Sequence, residues 1–229
     1  MYFYDPSGPT NDNYRLFTSN IVKNTFGPIY DISKPIESEG LPNVWGLAEN
    51  TSTDRAVLPG EDFFADCPAP TFITVNLKTG EVGSFLGIGA GFPYGIAIDS
   101  ATNKMAVPTL CDGGLSIYNL ATKTGTEIPL DGNPSASGNV FGGLYTENDS
   151  PNGRFLIEQT TAPDFGTNNN SLSRVLVYDE SGNLIEKEEQ FDLFGAFVTI
   201  QAHNLQVNPA RHAGYLIGPL EEQLEPFSY

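Results

Sequence analysis

The stretch Pro93-Tyr94-Gly95-Ile96-Ala97-Ile98-Asp99-Ser100-Ala101-Thr102-Asn103-Lys104-Met105-Ala106-Val107 reads as a short apolar strand, a polar turn and a second apolar strand. The same beat returns along the chain. Its first half recurs as Val44-Trp45-Gly46-Leu47-Ala48-Glu49-Asn50, as Gly142-Gly143-Leu144-Tyr145-Thr146-Glu147-Asn148 and as His203-Asn204-Leu205-Gln206-Val207-Asn208-Pro209. The second half recurs as Ala56-Val57-Leu58, Phe155-Leu156-Ile157 and Tyr215-Leu216-Ile217. A third element follows in the same order: Phe72-Ile73-Thr74-Val75-Asn76-Leu77, Leu115-Ser116-Ile117-Tyr118-Asn119-Leu120 and Val175-Leu176-Val177-Tyr178-Asp179. These runs alternate apolar and polar residues, the period of a strand, and each leads to a glycine turn. Short fourth strands follow at Val82-Gly83-Ser84-Phe85-Leu86, Thr126-Glu127-Ile128-Pro129-Leu130 and Asn183-Leu184-Ile185-Glu186.

Four short strands repeating every ~50 residues is the pattern of a propeller blade, and a β-sandwich lacks such a four-beat repeat. The expectation is an all-β chain, a β-propeller of five four-stranded blades, with residues 1–229 forming one domain. The fifth blade comes from residues 9–43, which are weakly patterned. The opening Tyr2-Phe3-Tyr4-Asp5 is similar to Val177-Tyr178-Asp179-Glu180, and the ending 221–229 reads as a third strand without a fourth. Propellers often close by pairing strands from both termini, which removes exposed sheet edges. The alternative is an incomplete ring or a fragment of a larger propeller.

Composition fits this reading. The chain has 24 Gly, 17 Pro, 15 Phe and 10 Tyr, turn formers beside residues that suit a half-buried pleated surface. The net charge of −17, from 11 Lys and Arg against 28 Asp and Glu, argues against nucleic acid, whose phosphates demand basic side chains. It leaves a cation, a cationic ligand, another small molecule or a glycan as partners. No apolar run reaches the roughly 18 residues of a membrane span, so no membrane insertion is expected. Met1-Tyr2-Phe3-Tyr4-Asp5 does not begin a signal peptide. Three Asn-x-Ser/Thr acceptor patterns start at Asn50, Asn148 and Asn169, and with the acidity they favour an extracellular, secreted protein. A monomer is expected, with a dimer as the alternative.

The repeat resembles the strand-turn-strand signature of the YncE-like, NHL and SMP-30-like propellers, carried by residues 93–104 and by Ile117-Tyr118-Asn119-Leu120 with its Thr-Gly turn. The resemblance is one of blade pattern over residues 44–229. It implies that the first strand of each blade runs along a central channel. It also implies that the loops between strands four and one, and between two and three, share the ligand-binding face. Trp45, Tyr94, Gly142 and His203 would then ring the channel mouth. The SMP-30-like branch uses a divalent metal in that channel for lactone hydrolysis, which makes Ca²⁺ the candidate cofactor. Glu49 and Asp99 match that branch's acidic positions only loosely, and its catalytic roles are not transferred.

The long two-to-three loops are acidic. Asp62, Asp66 and Asp112, with Glu49 and Asp99, form the candidate metal set, because Ca²⁺ takes six to eight oxygens. Phe63, Phe64 and Phe165 add an aromatic surface suited to a sugar or a cationic group. Cys67 and Cys111 precede the third strands of adjacent blades, and a single disulfide between them is expected if their Cα atoms approach within about 7 Å. There is no Gly-x-Ser-x-Gly elbow, His-Glu-x-x-His, phosphate loop, dinucleotide fingerprint or EF-hand. The functional expectation is an extracellular ligand-binding propeller using its acidic, aromatic loop face. The alternative is a metal-dependent lactonase-like hydrolase with its site at the channel mouth.

Overall fold

The computed structural model describes residues 2–5, 13–20, 22–38, 41, 43–44, 46–61, 68–89, 91, 93, 95–109, 114–130, 140–161, 172–192, 205–218 and 223–229. They form five antiparallel sheets in chain order. The first holds β1 (Tyr2–Asp5), β2 (Asn13–Asn20) and β3 (Thr25–Asp31). A short helix, α1 (Ser33–Ser38), leads to the second sheet, which begins with β4 (Asn43–Val44) and β5 (Ala48–Asn50). Both pair with β6 (Arg55–Glu61), which is followed by β7 (Thr71–Asn76) and β8 (Val82–Leu86). β4 and β5 are one inner strand broken around Gly46, whose φ of 77° is left-handed; only glycine adopts that region without cost.

The third sheet is β9 (Ala97–Asp99), β10 (Lys104–Pro108), β11 (Gly114–Asn119) and β12 (Thr124–Pro129). The fourth is β13 (Val140–Asp149), β14 (Arg154–Thr161), β15 (Leu172–Asp179) and β16 (Leu184–Asp192). The fifth is β17 (Leu205–Asn208), β18 (Ala213–Gly218) and β19 (Gln223–Ser228). This is the expected all-β propeller architecture.

The expected pairing of the two termini differs. β1 pairs with β2, Tyr2 opposite Leu16, while β19 pairs with β18, Ala213 opposite Ser228. β1 and β2 are neighbours in sequence, so their loop closes at a small entropic cost compared with a strand some 200 residues away.

Period-two alternation sends successive residues of a strand to opposite neighbouring sheets. On β6, Ala56 and Leu58 pack with Ile73 and Val75 against Leu16, Tyr30, Ile32, Ile36 and Leu41. Val57, between them, packs with Phe72 against Ile98, Met105, Val107 and Tyr118 of the third sheet. On β14, Phe155 and Ile157 face Ala106, Leu115 and Ile117, while Leu156 meets Leu205 and Leu216 of the fifth sheet. Each of these apolar joints holds two adjacent sheets together.

In sheets two to five, the turns joining strands one to two and three to four all lie at one end. A left-handed residue closes each of them, and in all but two an Asn or Asp side chain accepts backbone N–H bonds from the turn; the one-to-two turns of sheets four and five are short 3-10 turns in which Asp149 and Asn208 make no such bond. Asn50 Oδ1 accepts from Ser52 N at 3.1 Å and Thr53 N at 3.2 Å. Asn76 Oδ1 takes Lys78 N and Thr79 N, both at 3.0 Å. Asn119 Oδ1 takes Ala121 N at 2.9 Å and Thr122 N at 3.3 Å, and Asp179 Oδ1 takes Ser181 N at 2.8 Å. The closing residues are Asp54, Gly80, Asn103, Lys123, Gly153, Gly182 and His212, all at positive φ. Such Asx turns make this face tight. The strand ends Glu61 and Thr71, Pro108 and Gly114, and Thr161 and Leu172 lie at the opposite end.

Candidate functional site

The first strands of four sheets border a cavity of about 300 Å³. Leu47, Ala48 and Glu49 come from the second sheet and Ile96, Ala97 and Ile98 from the third. Thr146, Glu147 and Asn148 come from the fourth, and Gln206 from the fifth. This is the channel that the blade pattern implies. Strand register puts Ala48, Ala97, Glu147 and Gln206 at equivalent positions, each two residues before the last strand residue Asn50, Asp99, Asp149 or Asn208. Two of the blades therefore offer a methyl group at this level, one a carboxyl and one an amide.

Glu147 gives the cavity its chemistry. Burial in the channel, where a charge is poorly hydrated, pushes its carboxyl up to about 7, so both protonation states are populated at neutral pH. Beside it the Thr146 hydroxyl is buried and has no hydrogen-bond partner among the described residues. Glu49 is exposed in the same cavity. Asn148 and Gln206 add two amides, and Leu47, Ile96 and Ile98 supply the apolar part of the wall, so the lining is mixed and more polar than apolar.

Asp99 does not join it. Its side chain is fully buried at the tight-turn end. Oδ1 accepts Ala101 N at 2.8 Å and the Ser150 hydroxyl of the next blade at 2.6 Å. Burial alone would raise this carboxyl, but hydrogen bonds from Glu180, Ser150 and the Ala101 and Thr102 amides outweigh it and hold it low. Glu180 is pushed up by burial, then by the hydrogen bond and charge of Asp99. Asp99 thus closes a turn and ties two blades together, as Asn50 does through its Nδ2 bond to Asn103 Oδ1 at 2.6 Å. The loose match to a family pattern could not distinguish a turn cap from a channel ligand, because both are acids ending a first strand.

The other candidates, Trp45, Tyr94, His203, Phe63, Phe64, Phe165, Asp62, Asp66, Asp112, Cys67 and Cys111, lie outside the described residues. Among the described residues no three His, Cys, Asp or Glu side chains converge to hold a metal ion. Glu147 lies within a repeat, where no local signal singles it out. The Glu-Asn pair shared by Glu49-Asn50 and Glu147-Asn148 invites an alignment that is wrong in space. Asp149, not Asn148, pairs with Arg154 as Asn50 pairs with Arg55, which puts Glu147 at the level of Ala48 and not of Glu49.

Fold and cavity together define a β-propeller with an acidic channel. No protein-family model and no curated protein matches the chain. Among solved structures it is similar to Kuenenia stuttgartiensis hydrazine synthase, with a TM-score of 0.54 and 11% identity over 88% of this chain and 49% of that one. It is also similar to a luciferin-regenerating enzyme, with a TM-score of 0.53 and 10% identity over 90% of this chain and 63% of that one. Both neighbours are propellers. The chain spans about half of the first structure's length and under two thirds of the second's. At these identities the likeness is one of fold, and fold carries no activity with it.

Proposed function

We propose that this protein is an extracellular ligand-binding propeller whose channel takes a small organic cation. The observation that supports this reading is Glu147, a carboxyl poised near neutrality in the wall of the channel cavity. A cation entering the channel favours the charged form of Glu147, and its binding releases a proton. Glu49 adds a second negative charge, and the net charge of −17 draws cations toward the molecule. The acidic and aromatic residues expected on the loop face, Asp62, Asp66, Phe63, Phe64 and Phe165, and those expected at the channel mouth, Trp45 and Tyr94, would extend the same preference, since aromatic faces attract cations.

Calorimetric titration with tetramethylammonium at pH 6 and pH 8, with glucose as the neutral control, tests the reading. Affinity for the cation should rise roughly tenfold across that range, because Glu147 ionises within it. The Glu147→Gln variant should remove the rise. Equal binding of glucose and the cation, or a pH-independent affinity, refutes the proposal.

The second reading is a divalent-metal hydrolase of the lactonase type, favoured by the presence of two carboxylates, Glu49 and Glu147, in one channel. Hard cations such as Ca²⁺ take such oxygens. Native mass spectrometry with and without EDTA separates the readings. A chelatable Ca²⁺ per chain supports the hydrolase and justifies a lactone screen, and an ion-free monomer supports the binder.

A further inference from the structure

A larger cavity lies away from the channel. At the tight-turn end, a groove of about 530 Å³ opens between the second and third sheets. Above it the joint is filled by Val57, Phe72, Phe85 and Tyr118. Below, the facing residues turn polar, and apart from Thr74, whose Oγ1 donates to Gly83 O at 3.4 Å and keeps only lone pairs, every group of known orientation but one presents a donor. Asn76 has its Oδ1 occupied by Lys78 N and Thr79 N. Asn50 Oδ1 accepts three bonds from Ser52 and Thr53, which fixes Asn50 Nδ2 as the donor to Asn103 Oδ1. Asn76 is thereby left with only its NH₂ group to offer, and Asn103 keeps its NH₂ group and one lone pair on Oδ1. Arg55 and Lys123 are donors by nature. The exception is Glu81.

The repeat supplies an internal control. The second strands of the second and third sheets each begin with a basic residue, Arg55 and Lys104. Lys104 Nζ donates to the Glu180 carbonyl at 2.9 Å and sits 3.8 Å from the Glu180 carboxylate, on the turn of the next blade. The residue equivalent to Glu180 in the third sheet is Leu120, which follows the turn cap Asn119 as Glu180 follows Asp179. Arg55 consequently has no carboxylate partner among the described residues, and it lines the groove with Leu120. A half-buried guanidinium without its counter-charge is a costly arrangement that an anion would relieve.

Lys123 departs from the pattern as well. It closes its turn at φ 58°, where the corresponding turns of the second and fourth sheets use Gly80 and Gly182. A lysine in this region carries backbone strain, and its ammonium lies over the Phe85 ring at 5.7 Å from the centroid, facing the groove. Gly83 removes a side chain from the floor of the groove.

We infer that this groove is a second binding site, for an oxyanion carried on a hydroxylated molecule such as a sugar acid. Arg55 and Lys123 take the anionic group, the Asn76 and Asn103 amides donate to its oxygens, and Glu81 accepts from a hydroxyl. The site is independent of the channel and of its proposed cation.

NMR titration of the whole protein with D-glucuronate, inorganic phosphate and D-glucose tests this. Glucuronate should bind with shifts at Arg55, Asn76, Asn103 and Lys123, and glucose should not. Phosphate binding as tightly as glucuronate would keep the oxyanion site and assign it a phosphate source. Arg55→Leu should weaken binding at least about tenfold. Leu120→Glu recreates the Lys104–Glu180 arrangement and should abolish it. Because Leu120 packs against the joint, Gly83→Leu is the second variant: a Cβ there meets only Thr74 Oγ1 at 3.6 Å, so it fills the groove without disturbing the strand. No binding of either anion up to about 10 mM, or affinities unchanged in Arg55→Leu and Gly83→Leu, overturns the inference.

Discussion

Replacing Glu147 by Gln keeps the shape of the side chain and removes its charge. In the native protein burial pushes this carboxyl from 4.5 to about 7, and the unfolded chain has the ordinary value. Below pH 4.5 it is protonated in both states and contributes nothing to the pH dependence. Between 4.5 and about 7 the unfolded state releases its proton first, so stability falls as pH rises, and above 7 the full penalty remains. At about 1.4 kcal/mol per pH unit this comes to about 3 kcal/mol. Water in the channel screens part of it, which leaves about 2 kcal/mol. Glu147→Gln should therefore match the wild type at pH 4.5 to within about 0.5 kcal/mol and exceed it by about 2 kcal/mol at pH 8. For a chain of this length the gain at pH 8 corresponds to a Tm about 4–8 °C higher. Urea denaturation of both proteins at the two pH values measures the difference. A gap of the same size at both refutes the argument, because it would mean that the substitution acts through packing.

Other substitutions probe the turns and joints. Asn50→Ala removes three accepted hydrogen bonds and the bond to Asn103, and should cost about 2–4 kcal/mol by chemical denaturation. Tyr118→Phe removes a hydroxyl that accepts from Ile88 N at 2.9 Å and donates to Ile88 O at 3.1 Å. The Phe72 edge contact, 5.1 Å between centroids, should persist, so the loss should stay near about 1–2 kcal/mol. At Asp179 burial works to raise the carboxyl, but bonds from the Asn183 side chain and from the Asn183, Ser181 and Gly182 amides prevail and hold it low. That stability is present above the ordinary value of 3.8 and is lost as pH falls through the lower native value. Asp179→Asn should flatten this part of an acid unfolding curve recorded from pH 5 to pH 2.

The repeat carried the architecture because apolar alternation and turn residues are local signals. β8, Val82–Leu86, falls where the fourth-strand pattern puts it, and the cores of β6, β10, β14 and β18 are the apolar triplets quoted from the sequence. The segment before residue 43 was harder to read: six of the seven β3 residues are exposed, so no buried face marks the strand. α1 is a single short turn around Pro35 that buries Ile36. The candidate site was less legible for a different reason. The state of Glu147 depends on which neighbours exclude water from it, and Arg55 is notable only beside Leu120, 65 positions away. Neither relation exists until the sheets are side by side.

The seven left-handed turn residues of sheets two to five hold a latent margin of stability. Three are glycine, and Asp54, Asn103, Lys123 and His212 carry side chains. A chain selected only to persist would have glycine or asparagine at all seven, and Lys123→Gly is the change with the most strain to release, on the order of 1 kcal/mol. An engineer raising the thermal tolerance of this protein would reach Lys123 early and record a success. If its ammonium serves the groove, that improved variant would be blind at one of its two sites, and a melting curve would never reveal it.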